Sequence, residues 1–199
     1  MIDGWFPTLI YNDTLNFQHR QYLVNKAKTI YSQTQGHTVT KWACDTYNTV
    51  GFYDHRSDQD TVVLSLLELL RTRVHEFGKN YGINLPIETL YCKDFWFNLA
   101  EPGAYQEYHQ HTRSHFSVSY YLAVGENCGK IRFRSIEAMT DMYTLPVESN
   151  LENFASRKTC AYEPVEDLLL IFRSNVPHMV EKNHSEDLRI SISANFEYA

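Results

Sequence analysis

LRISISANFEYA, residues Leu188–Ala199, alternates polar and apolar side chains with a period of two. Arg189, Ser191, Ser193 and Asn195 share one face, and Ile190, Ile192, Ala194 and Phe196 share the other, because successive side chains of a β-strand point to opposite sides. The apolar face requires a core. The polar face meets either solvent or a polar interior, and the alternation alone does not choose between them.

Working back from this segment, the chain repeats short β-type runs separated by turn residues: HMVEK (178–182), DLLLIFRS (167–174), KTCAYEP (158–164), DMYTLPVES (141–149), KIRFRS (130–135), HFSVSYYLAV (115–124) and ETLYCKDFWFNLA (88–100). No pattern long enough for a helix lies between them. This succession predicts an α+β protein whose residues 88–199 form a two-sheet jelly roll of cupin-like, double-stranded β-helix shape.

Residues 1–87 read as mainly helical. In TLNFQHRQYLVNKAKTIYSQTQG (14–36), Phe17, Val24, Ala27 and Tyr31 recur at helical spacing before Gly36. In SDQDTVVLSLLELLRTRVHEFGKNYG (57–82), Ser57 and Asp58 stand where a cap is expected, and Val62, Val63, Leu66, Leu67, Leu70, Val74 and Phe77 form one stripe ending at Gly78 and Gly82. Both helices should pack their apolar faces on one sheet. With 199 residues, 43% of them hydrophobic, and no linker or repeat, the chain is expected to form one domain over 1–199.

The net charge of −6 makes a nucleic-acid partner unexpected, since polyanions are repelled. Cys44, Cys92, Cys128 and Cys160 form no Cys-x-x-Cys pair, as expected of reduced thiols in the cytoplasm. The start MIDGWFPTLIYNDTL has no signal-peptide pattern, and runs such as LLLIF are too short to cross a membrane. Nothing in the pattern bears on oligomeric state.

The stretch NLAEPGAYQEYHQHTRSH (98–115) holds the chemistry. Nine histidines in 199 residues give about 0.4 His-x-His pairs by chance, so the motif alone does not establish a metal site. Strand alternation would place His109 and His111 on one face, where two imidazoles can chelate one divalent ion. His178, after the buried-looking DLLLIF, is the expected third ligand; His115 and His184 are weaker candidates, and His19, His37, His55 and His75 read as structural. Beside such a site, Arg189 and Ser191 would form a carboxylate clamp, a planar fork plus a hydroxyl donor.

Together, Asn98, Pro102-Gly103, His109-Gln110-His111, Tyr121-Leu122, Gly129, Phe133, His178 and Arg189-Ile190-Ser191 resemble the 2-oxoglutarate and Fe(II)-dependent oxygenase superfamily. The spacing from Asn98 to His109 is similar to that of its AlkB-like and prolyl-hydroxylase-like branches. GWFPTLIY and FWFNLAEPGAYQEYHQH look like a phage- and bacterial-type branch with His-x-His in place of His-x-Asp. The resemblance spans about residues 90 to 196.

It implies that His109 and His178 bind Fe(II), that Arg189 and Ser191 hold the distal carboxylate of 2-oxoglutarate, that Asn98 orients this co-substrate and that Tyr121 lines the pocket. Decarboxylation of 2-oxoglutarate with O2 would then drive hydroxylation of an unactivated C–H bond in a peptide or small-molecule substrate. The departure is His111, which stands where the superfamily's triad has a carboxylate. A neutral imidazole there leaves the ion one unit more positive and weakens its selection against zinc. Glu107, of the same strand parity, is a conceivable substitute carboxylate. Two other readings remain open from the residues: a three-histidine metalloenzyme that does not use 2-oxoglutarate, either a cupin-like dioxygenase or a zinc hydrolase, and a non-catalytic protein with a closed metal shell.

Overall fold

The computed structural model describes residues 7–34, 46–50, 53–136 and 156–199. The expected strand DMYTLPVES, and also His37 and Cys44, lie outside the described residues. Along the chain come β1 (Ile10–Thr14), α1 (Arg20–Thr34), β2 (Tyr47–Asn48), α2 (Thr61–Lys79), a single 3-10 turn at Ile87–Thr89, β3 (Leu90–Ala100) and β4 (Gln106–His109). They continue with β5 (Phe116–Ala123), β6 (Ile131–Arg134), β7 (Thr159–Tyr162), β8 (Leu168–Arg173), β9 (His178–Val180) and β10 (Arg189–Tyr198).

The strands form two antiparallel sheets, one of six strands in the order β1-β8-β5-β10-β3-β2 and one of four in the order β4-β9-β6-β7. This is the expected jelly roll. The helical N-terminal part also supplies β1 and β2 to the larger sheet. Both are short and lie at its edges, where half of the backbone groups stay unpaired and the sequence needs no strong alternation.

Period-two alternation in the large sheet builds two separate interiors. From β10, Ile190, Ile192, Ala194 and Phe196 join Phe95, Phe97 and Leu99 of β3 and Phe116, Val118, Tyr120 and Leu122 of β5 in an apolar layer. The helices close this layer with Leu23, Val24 and Ala27 of α1 and Val63, Leu66, Leu70, Val74 and Phe77 of α2. Each such Leu, Val or Phe removed from water contributes roughly 1.5–3 kcal/mol. On the other face of the sheet, Leu168, Leu170 and Phe172 of β8 pack on Ile131 and Phe133 of β6 in a smaller cluster between the sheets. β8 is apolar on both faces because it is covered on both.

The start of α2 differs from expectation. Its cap is Asp60, whose side chain accepts from the main-chain N–H groups of Val62 and Val63 at 2.9 and 3.3 Å. Asp58 accepts instead from the N–H of Asp60 and pairs with Lys26 at 2.9 Å, tying α1 to the start of α2. A helix cap must present its oxygen to the second and third helical N–H groups, which Ser57 and Asp58 are too far upstream to reach.

Candidate metal and co-substrate site

Where the sheets part, the polar face of β10 lines a cavity rather than solvent. Arg189, Ser191, Ser193 and Asn195 all border it, with Asn98 and Trp96 from β3, Ser117, Ser119 and Tyr121 from β5, and His109, His111 and His178 from the smaller sheet and its margin. The expected ligands His109, His111 and His178 and the expected co-substrate residues Asn98, Tyr121, Arg189 and Ser191 all border this cavity.

The three imidazoles converge. Potential ligand atoms of His109, His111 and His178 all lie within 4.8 Å of one another. His109 and His178 sit opposite each other in the β4–β9 ladder, with ring centroids 4.2 Å apart. His111 reaches the cluster differently from the strand alternation expected for it. β4 ends at His109, and His111 lies in the following turn, fixed by its N–H donating to the carbonyl of Ser174 at 2.8 Å. Its ring stacks between Trp96, at 5.6 Å and 26°, and His178, at 5.2 Å and 11°.

Hydrogen bonds set the tautomers of two rings. Nδ1 of His109 faces the carbonyl of Glu107 at 2.8 Å and Nδ1 of His178 faces that of Val176 at 3.0 Å. A carbonyl only accepts, so each Nδ1 carries the proton and each Nε2 presents its lone pair, as metal-binding histidines require. Burial holds all three rings neutral. It pulls His109 below its ordinary value and His178 well below it, and it takes His111, with the further effect of His109, down to about 4. Uncharged nitrogen donors converging within ligand reach fit a divalent transition ion.

Arg189 is buried at the other end of the polar row. Its Nη1 donates to the carbonyls of Cys128, Gly129 and Glu181, which aim the guanidinium along the cavity wall. Gly129 makes that approach possible: its φ is +85°, and a Cβ there would lie 2.4 Å from the carbonyl oxygen of Glu181. Tyr121 is fully buried beside Arg189, and burial pushes its phenol up to about 12, so it stays a neutral hydrogen-bonding group. Asn98 donates to Ser193 Oγ at 2.9 Å and accepts from Trp96 Nε1 at 3.0 Å.

The remaining candidates lie elsewhere. Glu107 is exposed and contributes its main-chain carbonyl, not its carboxylate, to His109. His115 accepts from the N–H of Tyr198 at 3.1 Å, and His184 is exposed. His55 and His75 contact Cys92 O and Tyr198 Oη, as structural histidines do. Two supports escaped the sequence reading. Buried Asn183 binds the loop of Pro102-Gly103, where Gly103 has φ +89°, through the Gly103 N–H and the Ala100 carbonyl. Trp96, which also borders the cavity, stacks on His111.

The family model described as "Putative 2OG-Fe(II) oxygenase" matches residues 94–195, just over half of the chain, and spans every cavity-lining residue except Thr46. The chain belongs to the 2OG-Fe(II) oxygenases. The fold of this oxygenase is shared with solved structures of low identity. A prolyl-4-hydroxylase from Pseudomonas putida aligns with a TM-score of 0.61 at 17% identity, over 96% of this chain and 94% of that one. The carbocyclase SnoK of nogalamycin biosynthesis gives 0.65 at 10%, over 96% and 80%. A prolyl hydroxylase from Trichoplax adhaerens, solved with a peptide of hypoxia inducible factor, gives 0.59 at 14%, over 96% and 83%. A comparison with curated proteins found no match. Family membership sets aside the zinc hydrolase and the non-catalytic reading, and it brings Fe(II) and 2-oxoglutarate as metal and co-substrate.

Proposed function

We propose that the oxygenase binds Fe(II) through His109, His178 and His111, holds 2-oxoglutarate with Arg189 and Ser191, and hydroxylates a C–H bond of a peptide or small molecule. The observation that carries this reading is the placement of three neutral imidazoles and one buried guanidinium on the wall of a single cavity. Bound iron with 2-oxoglutarate and O2 supplies the oxidising power that no side chain possesses.

The chain's own residues have three tasks. The imidazoles offer nitrogen donors without charge, because burial keeps them unprotonated. Arg189, its position fixed by three carbonyls, presents a rigid fork to the far carboxylate, and the Ser191 hydroxyl adds a donor on the same face. Asn98 and neutral Tyr121 complete the polar wall and orient the keto acid between clamp and metal.

The hydroxylase outcome draws support from the two prolyl hydroxylases of like fold, one of them solved with a peptide. The net charge of −6 disfavours nucleic acid, and no helix among the described residues is long and apolar enough to cross a membrane. The free thiols of Cys92, Cys128 and Cys160 suit the reducing cytoplasm.

The test is anaerobic titration of the Fe(II)-loaded protein with 2-oxoglutarate while following the visible metal-to-ligand charge-transfer band. The band is expected in the wild type, is lost at modest co-substrate concentrations in Arg189→Ala, and disappears together with the metal in His178→Ala. Metal binding at a stoichiometry of one with no band at any 2-oxoglutarate concentration overturns the proposal.

A further inference from the structure

His111 differs from the other two histidines in what its Nδ1 faces. Nδ1 lies 3.3 Å from the side-chain nitrogen of Asn195, a donor, where His109 and His178 face carbonyl acceptors. The orientation of that amide is not arbitrary. Asn195 stands opposite Asp94 in the β10–β3 ladder, at the register shift between Asn195 and Phe196, and its Nδ2 also donates to Asp94 Oδ2 at 3.1 Å. Turning the amide over would set its oxygen against a carboxylate oxygen. On the far side Oδ1 of Asn195 accepts from Ser117 Oγ at 2.8 Å, and Ser117 meets Ser174 Oγ at 2.9 Å. Hydroxyls donate or accept equally well, so the serine end of this chain tolerates either orientation. The carboxylate, which only accepts, does not.

Resting on the metal-site reading above, we propose that Asp94, acting through Asn195, is a positioning residue that fixes the neutral His111 ring with its proton on Nε2 and so makes His111 a weakly committed third ligand. A ring whose Nδ1 accepts a hydrogen bond must carry its proton on Nε2. To ligate through Nε2 it must move that proton to Nδ1, which then confronts the Asn195 N–H, and the amide can relieve this only by turning toward Asp94. Metal binding by His109 and His178 meets no such opposition. The carboxylate missing from the His-Gln-His motif is thus present one amide behind His111, where it governs how readily the ring joins the metal.

The tautomers are read directly by long-range ¹H–¹⁵N correlation spectra of the histidine side chains in the metal-free protein, at a pH where the rings are neutral. His109 and His178 are expected as Nδ1–H and His111 as Nε2–H. The double substitution D94N/N195D exchanges the amide and the carboxylate without changing their size. It puts an acceptor against His111, whose signal should move to Nδ1–H, and the Kd for Zn(II), used as the probe, should tighten about 10- to 100-fold. Asp94→Asn alone, which merely releases the amide, should give an intermediate tightening and serves as the second variant should the double one misfold. An Nδ1–H signal for His111 in the wild type overturns the proposal, as does an unchanged tautomer and Zn(II) affinity in the variants. The spectra need neither iron nor 2-oxoglutarate, so a failure to bind co-substrate would sink the proposed function and leave this result standing.

Discussion

His109 and His178 occupy opposed positions on the antiparallel strands β4 and β9, and the ladder that pairs them also brings their rings to 4.2 Å between centroids. Two metal ligands from segments far apart in sequence are therefore fixed by backbone hydrogen bonds before any ion arrives. Removing either ring should abolish binding without unfolding the sheet. His109→Ala and His178→Ala are each expected to lose stoichiometric Co(II) or Fe(II) in equilibrium dialysis, while His111→Ala weakens binding by a smaller factor. Equal losses at all three positions would contradict the inequality inferred for His111.

Arg189 has a double task, and its two parts can be separated. Arg189→Lys keeps the charge but loses the planar fork, so 2-oxoglutarate should bind about 10- to 100-fold more weakly, the equivalent of one charge-assisted hydrogen bond. The metal affinity should be unchanged. Calorimetric titration of 2-oxoglutarate against the Fe(II)-loaded protein under anaerobic conditions measures the first, and titration of Fe(II) into the metal-free protein measures the second.

Acid should destabilise the metal-free protein through the buried rings. Burial lowers the pKa of His109, His111 and His178 in the folded state, with His111 at about 4, so on acidification the unfolded chain takes up protons first. The stability these neutral rings contribute is complete above the unfolded value of about 6.5 and is lost as the pH falls toward the folded values. Thermal melting should thus be level above about pH 6.5 and decline between there and about pH 4. The same depression lets metal binding persist below pH 6, where unburied histidines would already be charged. His178→Phe should make the decline shallower.

Gly129→Ala tests the support of the clamp. The residue's φ of +85° disfavours any side chain, and the added carbon would press on a main-chain carbonyl that Arg189 also uses. A loss of at least about 1–3 kcal/mol is expected from the urea midpoint, with weaker 2-oxoglutarate binding in whatever remains folded. Gly82→Ala, at φ +76° but in open space, should be the milder of the two.

The helices and the longer strands were legible because burial on one face imposes a period, and the period is visible in residues such as Leu66, Leu70 and Val74 or Ile190, Ile192 and Ala194. β4 was not. Its residues Gln106 to His109 are half-buried or exposed, so no apolar alternation marks them, and the strand is defined by its pairing with β9 instead. The site residues were found by chemistry, since histidine and arginine have few reasons to share a polar row. Their supports were missed for the opposite reason. Asn195 was read as part of that row, but its partnership with Asp94 depends on a register shift between strands about a hundred residues apart, which no local pattern records.

β10 carries both interiors of the protein on one alternating strand. A slip of a single residue would drive the guanidinium and the serine hydroxyls among the phenylalanines under the helices, and would wall the reaction chamber with isoleucine. Foldability and catalysis are thus bound to one parity. Misregistration that silenced the enzyme would also deprive it of a stable shape, so a well-folded but inert population is not a state this chain can reach by sliding.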